Sequence, residues 1–235
     1  MLLKFSTQII LVLLYIITSL MFVRNCSRFQ QALQWWFSRQ SLKLYLEAKE
    51  IRDGLLQESF AIRRSLDLLT QDNLNLTINK THEYLQQADN FHHALMQLSD
   101  RLFPTYIQDN LPLAIECLLE PWSTANSHLQ FHLDIPAYWR FETVERSLIV
   151  LRSLEELLIL TLPNCAINTS IFVTLKQQTY LAQLRVHITY PDLSTVRFYS
   201  TLKELDYLCD SFRFLTSGKC SYRQHHLSIT CDFYW

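Results

Sequence analysis

Residues 41–70 read SLKLYLEAKEIRDGLLQESFAIRRSLDLLT. Leu44, Ala48, Ile51, Leu55, Ser59, Ile62, Leu66 and Leu69 recur here at steps of three and four, the period of one face of an α-helix. Lys49, Glu50, Arg52, Asp53, Arg63 and Arg64 fill the other faces. The next stretch, Gln71 to Lys80, is polar and rich in asparagine, the composition of a turn. Thr81 to Phe103 then resumes the pattern with Tyr84, Ala88, Phe91, Leu95, Leu98 and Leu102, and Pro104 follows. That spacing is an a/d seam, closed by the proline. Two amphipathic helices with a short connection make an antiparallel hairpin. One hairpin buries too little apolar surface to stand alone, so residues 41–103 are expected to pair with a second hairpin into a dimeric four-helix bundle.

The texture changes on the C-terminal side. Leu111 to Leu119 reads as a short apolar helix closed by Pro121-Trp122, within a linker over 104–124. His128 to Asp134 reads as a strand, and Phe141 to Leu162 as a helix with Val144, Leu148, Leu151, Leu154, Leu158 and Leu162 on one face. Ile171, Val173 and Leu175 alternate within Ser170 to Lys176, as do Leu184, Val186, Ile188 and Tyr190 in the following segment. Both are half-buried strands. Thr201 to Leu215 is a further helix, and Leu227, Ile229, Cys231 and Phe233 form a last strand. Strands with interspersed helices over 125–235 indicate a small α/β sandwich, and the chain as a whole is α+β.

On the N-terminal side, Phe5 to Val23 (FSTQIILVLLYIITSLMFV) carries no charge and is bounded by Lys4 and Arg24. As a helix it spans about 28 Å, enough for a hydrocarbon core. A cleaved signal peptide is the competing reading, but no A-x-A site follows the apolar run. The expectation is an uncleaved transmembrane anchor over 1–24, touching membrane lipid through residues 5–23, and a juxtamembrane segment over 25–40. Arg24, Arg28, Arg39 and Lys43 lie just after the run, which gives a single-pass membrane protein with its C-terminal domain cytoplasmic. Trp35-Trp36 fits either the headgroup level or a packed pair. Glycosylation sequons at Asn25, Asn75, Asn79 and Asn168 point the other way, but such short patterns arise often by chance.

Composition narrows the chemistry. The chain has 235 residues, a net charge of −1 and only two glycines, Gly54 and Gly218, where average usage would give about 16. No Gly-rich dinucleotide loop or phosphate loop can be built. No basic stripe suggests nucleic acid. The six cysteines include no C-x-x-C pair and read as dispersed free thiols. His92-His93 and His225-His226 are adjacent rather than one turn apart, and Glu155-Glu156 has no partner carboxylate at a recognisable spacing. Neither a metal nor a cofactor is expected.

The order of parts, together with the segment Glu50-Ile51-Arg52-Asp53-Gly54-Leu55-Leu56-Gln57 continuing as Phe60-Ala61-Ile62-Arg63, resembles sensor histidine kinases of the nitrate-sensor type. Their dimerisation motif is E-L-H-D-x-L-x-Q. Arg152 to Cys165 is similar to their ATP-domain helix. The resemblance implies a hairpin that dimerises, an ATPase-like domain, and a response-regulator partner.

The departures from that pattern are concentrated in the catalytic positions. The phospho-accepting histidine falls at Arg52, whose guanidinium stays protonated and is no nucleophile. Glu156 matches the family's glutamate, but the magnesium-holding asparagine falls at Leu160 and a basic histidine position at Asn164. After the strand ending at Tyr190, Pro191-Asp192-Leu193-Ser194 stands where the resemblance expects D-x-G-x-G. The resemblance therefore implies a degenerate kinase: a membrane-anchored signalling or scaffold subunit, paired with itself or with a related kinase, docking a regulator or a membrane complex. Asp53 and Gln57 are retained at i and i+4. In the family this pair is implicated in dephosphorylating the regulator, so Asp53, Gln57 and Arg52 are the candidate site of a response-regulator phosphatase. An active kinase with atypical motifs is the remaining alternative.

Overall fold

A computed structural model describes the chain apart from residues 1, 72–77, 103–106, 108–109, 127, 163–168 and 179–180; the side chains of 2–13, 67–71, 78–81 and 101 also lie outside the description. In chain order the elements are α1 (Leu2–Glu50), a π-helical turn (Ile51–Leu55), α2 (Leu56–Gln71), α3 (Ile78–Leu102), α4 (Leu111–Ala125), β1 (Leu129–Asp134), α5 (Val144–Thr161), β2 (Thr169–Gln177), β3 (Ala182–Thr189), α6 (Leu193–Ser200), α7 (Lys203–Thr216), β4 (Lys219–His225) and β5 (Ser228–Tyr234). Two compact units result: Met1–Phe37 together with Gln108–Trp235, and Ser38–Ile107.

The unit Ser38–Ile107 is helical, as its heptad pattern requires. Leu55, Leu98 and Ile107 are its buried apolar residues among those described, with Ile51 and Ile62 half-buried beside the first and Tyr84 and Phe91 on the helix of the second. Tyr84, Phe91 and Leu98, each seven residues apart, thus turn inward. Ala88, Leu95 and Leu102 of the expected seam stay exposed, as do Leu44, Ala48, Ser59 and Leu66 on the first helix. The inner seam is narrower than the sequence pattern suggested. The π-turn is one cause, because an i→i+5 turn shifts the apolar stripes on either side of it out of line.

The other unit is built on a five-stranded sheet ordered β1-β2-β3-β5-β4. β1 and β2 run parallel, connected through α5, and the remaining neighbours are antiparallel. Only a crossover can join parallel neighbours, and α5 supplies it. One sheet face is apolar: Ile171, Val173 and Leu175 of β2, Leu184, Val186 and Ile188 of β3, and Ile229, Cys231 and Phe233 of β5 are all buried. Buried residues of α5 (Val150, Leu154, Leu157, Leu158) and α7 (Leu205, Leu208, Phe212) supply the matching apolar side chains. Phe212 meets Phe233 edge-on at 4.9 Å. The opposite face is polar and held by cross-strand pairs such as Arg185 Nε to Asp232 Oδ1 at 2.6 Å and His132 stacked on Phe172 at 4.4 Å, the usual unit of sheet stabilisation. The C-terminal residue closes the sheet. Trp235 exchanges backbone hydrogen bonds with Ala182, and its indole N–H donates to Glu142 Oε1 at 3.2 Å.

The membrane anchor is corrected. Among the described residues no helix is long and apolar enough to cross a membrane, so the transmembrane helix, the lipid contact through residues 5–23 and the single-pass placement with a cytoplasmic C-terminal domain are withdrawn. Residues 5–13 of that run have side chains outside the description. The apolar run does not stand alone. It opens a 49-residue helix that continues through Arg24, Asn25, Arg28, Gln30 and Gln31 without a break. Two of the residues that follow the run, Arg28 and Trp35, have partners within the same unit. Arg28 Nη2 meets the buried Asp210 Oδ2 at 2.8 Å, and Ser211 Oγ donates to the Ala32 carbonyl at 2.9 Å. Trp35 lies 6.5 Å from Trp36 and 6.2 Å from Tyr207, so Trp35 is packed against α7.

Smaller differences have local causes. α4 runs through Pro121 to Ala125. Its last carbonyls are taken up by side chains: Thr124 Oγ1 donates to Glu120 O and Pro121 O, and Asn126 Nδ2 to Trp122 O. The N-terminus is capped by Asn110, whose side chain accepts from Leu113 N, as asparagine does at this position. The helix α6 and the edge strand β4 carry no periodic apolar signal and were not anticipated. Asn75, Pro104, Asn164, Cys165 and Asn168 fall outside the described residues.

Candidate functional site

The three residues singled out on the hairpin lie in and just after the π-turn. Arg52 and Asp53 belong to it, and Gln57 follows on α2. Arg52 Nε meets Asp53 Oδ1 at 2.9 Å, with the two side chains 70% and 46% exposed. Gln57 is exposed as well. The hydrogen bond from Arg52 holds the Asp53 carboxyl below its ordinary range, so this residue is an anion at neutral pH and its guanidinium neighbour a cation. Gly54, next after Asp53, has no heavy atom within 4 Å of where a Cβ would stand. The arrangement offers a guanidinium, a carboxylate and a primary amide to solvent on one short stretch. It can hydrogen-bond a phosphoryl or carboxylate group of a partner, or orient a water. It holds no histidine to accept a phosphoryl group.

The second region is where the resemblance would seat a nucleotide, between α5 and the end of β3. Glu156 is buried on α5, and Leu160, one turn on, presents only hydrocarbon. The segment after β3 is no open turn. Asp192 caps α6: its Oδ1 accepts from Thr195 N at 2.8 Å and from Ser194 Oγ, and its Oδ2 accepts from Thr195 Oγ1 at 2.7 Å. The bonds from Ser194 and Thr195 hold its carboxyl down to about 2. Tyr190 turns inward beside it. Its ring stacks on Tyr199 at 5.4 Å, and its O–H donates to the Thr161 carbonyl at the end of α5, 3.3 Å away. Both tyrosines are almost wholly buried, at 1% and 3% exposure. Two aromatic rings therefore bridge the end of β3, α6 and the end of α5.

The cysteines, read as dispersed, are partly gathered. Cys209 on α7, Cys220 on β4 and Cys231 on β5 place their sulfurs within 4.8 Å of one another, all buried. Hydrogen bonds from Cys220 and Cys231 draw the Cys209 thiol down to about 5. Burial pushes Cys220 up, and the hydrogen bond with Cys209 pushes Cys231 up. The even spacing of eleven residues was visible in the sequence. Its meaning was not, because Cys220 lies on the edge strand that the pattern did not disclose. The His92 and His93 rings lie tilted at 6.4 Å, and those of His225 and His226 meet edge-on at 4.2 Å at the end of β4.

No family model and no curated protein matches the chain in sequence. Solved structures similar to it include several histidine kinases at low identity. They include Acinetobacter baumannii histidine kinase AdeS, at 11% identity and a TM-score of 0.41, covering 77% of this chain and 95% of that one. The histidine kinase domain of the Erythrobacter litoralis blue-light activated kinase EL346 gives 9% and 0.44 over 75% and 94%. A histidine kinase from Burkholderia phymatum gives 14% and 0.40 over 76% and 94%. At these scores the likeness is one of outline, and no residue role transfers from it.

Proposed function

We propose that the chain is a histidine-kinase-like subunit that has lost nucleotide chemistry and works by protein–protein interaction, as a signalling or scaffold component of a two-component system. The observation that carries this reading is the tyrosine stack between the end of α5 and α6. Where the resembled family needs an open, glycine-lined nucleotide site, Tyr190 and Tyr199 stack and Tyr190 is hydrogen-bonded to Thr161. Arg52 at the acceptor position and Leu160 at the magnesium position point the same way. The interaction surface is the hairpin. Leu56, Phe60, Leu66, Leu85, Leu95 and Met96 are between 41% and 68% exposed, an apolar load that a lone helical pair does not leave to water. The occupant is a second copy of the hairpin, completing a four-helix bundle.

Light scattering on the full chain tests this. The wild type should have twice the chain mass, and the double variant Leu85→Glu, Leu95→Glu should have the mass of one chain. A wild-type monomer would contradict the proposal.

A second reading has its own observation. Asp53 and Gln57 remain exposed at a π-turn, a feature frequent at functional sites, and the Gln57 amide can orient a water towards an acyl phosphate on a response regulator. Decay of a phosphorylated regulator should then slow on substituting Gln57→Ala. Equal rates with wild type and variant would remove the phosphatase reading and leave the interaction role.

A further inference from the structure

We propose that Cys209, Cys220 and Cys231 form a closed three-thiolate site for one soft d10 metal ion, and that the ion the geometry favours is Cu(I). The three residues come from three elements that the fold must bring together. Cys220 stands opposite Phe233 and Cys231 opposite Tyr222 in the β4–β5 ladder, so the two cysteines are diagonal neighbours on the apolar face of the sheet. Cys209 descends onto them from α7. Their exposures are 3%, 2% and 1%, and Cys209 Sγ lies 2.6 Å from Cys220 Sγ. A metal–sulfur bond of about 2.3 Å in a trigonal plane sets the sulfurs about 4 Å apart. That is within the 4.8 Å that already encloses all three, once the Cys209–Cys220 contact opens by side-chain rotation.

The donor set decides the class of ion. Thiolates select soft metals, with Cu(I) and Zn²⁺ the principal biological choices. Structural zinc takes four ligands. Among the described residues the group offers three sulfurs and no fourth histidine, cysteine or carboxylate ligand. A three-coordinate ion satisfied by three sulfurs therefore fits better.

Charge is handled locally. Arg213, one turn beyond Cys209 on α7, donates from Nε and Nη2 to the Cys220 carbonyl and from Nη1 to Asp210 Oδ1. A fixed guanidinium thus borders a site that becomes anionic when loaded. Binding forms three Cu–S bonds and releases to solvent whatever protons the three thiols still hold, with no change of oxidation state. The same turn of α7 carries Asp210 and Ser211, which hold α1, so an ion here would tie the α1–α7 contact to the β4–β5 hairpin.

The test is an anaerobic titration of the reduced full chain with Cu(I) against a chromogenic Cu(I) chelator, with X-ray absorption on the loaded wild type. The expected result is one Cu(I) withheld from the chelator per chain, three sulfur neighbours about the copper, and a rise in melting temperature on loading. Cys231→Ala and Cys209→Ala should each lose that equivalent, while Cys26→Ser, at an exposed cysteine, should keep it. The absorption spectrum needs no variant, so a variant that fails to fold leaves the test intact. Failure of the wild type to withhold copper would overturn the proposal, as would a first shell of two sulfurs. Four-coordinate Zn²⁺ binding more tightly than Cu(I) would overturn the choice of ion.

Discussion

The two glycines should respond to alanine with opposite signs, and the structure fixes both. At Gly218 an added Cβ would lie 2.0 Å from the Tyr234 carbonyl oxygen and 2.8 Å from Thr216 Oγ1. The oxygen belongs to backbone that cannot yield freely, because Tyr234 is paired with Gln183 on one side and Lys219 on the other. Relief requires Gly218 to move by more than an ångström and the Lys219–Tyr234 end of the ladder to open. Overpacking of this kind costs about 1–3 kcal/mol, and a clash with backbone belongs at the upper end. At Gly54 the new methyl group meets nothing within 4 Å, and the gain is the helix propensity of alanine over glycine, about 0.8–1 kcal/mol. The two variants should therefore differ by about 2–4 kcal/mol. Urea denaturation of the full chain followed by circular dichroism and tryptophan fluorescence measures both. Gly54 and Gly218 lie in different compact units, so each substitution should shift its own transition where the two resolve. A neutral Gly218→Ala would refute the packing at the α7–β4 turn, and a destabilising Gly54→Ala would refute the open surface at the π-turn.

Other expectations concern the sheet unit. Trp235→Ala removes a nearly buried ring, the bond to Glu142 and the closing contact with Phe212; a loss of about 3–5 kcal/mol in denaturant midpoint analysis is expected. Tyr190→Phe deletes the hydrogen bond to Thr161 and should cost about 0.5–1.5 kcal/mol by the same assay. The Asp192 carboxyl is held down to about 2 by Ser194 and Thr195. A depressed carboxyl stabilises the folded state above its ordinary value and loses that contribution as pH falls through about 2. NMR titration should show the α6 amide of Thr195 unmoved through pH 4 and shifting only near the lower value, and Asp192→Asn should abolish the step.

What the sequence disclosed follows from how each element is buried. β2 and β3 bury one face along most of their length, so Ile171-Val173-Leu175 and Leu184-Val186-Ile188 printed a strict alternation. The hairpin helices printed heptads because each turns one apolar stripe inward, Ile51, Leu55 and Ile62 on one and Tyr84, Phe91 and Leu98 on the other. β4 is an edge strand whose outer positions are Lys219, Ser221, Arg223 and His225, and such a strand has little reason to look apolar. α6 owes its existence to one cap at Asp192, and α4 continues past Pro121 because Thr124 and Asn126 take up the last carbonyls. The apolar run at 5–23 misled because hydropathy in a window ignores where a helix goes next, and here it goes on to dock Arg28 and Ala32 on α7. Of the candidate site, Arg52, Asp53 and Gln57 were legible as a motif. The Tyr190–Tyr199 stack and the cysteine trio were not, since each depends on elements brought together only by the fold.

The proposed loss of the nucleotide site beside a retained interaction hairpin is open to a decisive experiment. The measurement that tests it most directly is calorimetric titration of the purified full chain with ATP and magnesium, with Tyr190→Phe run alongside. No saturable binding is expected for either protein. Micromolar affinity of the wild type for ATP in the presence of magnesium would contradict it.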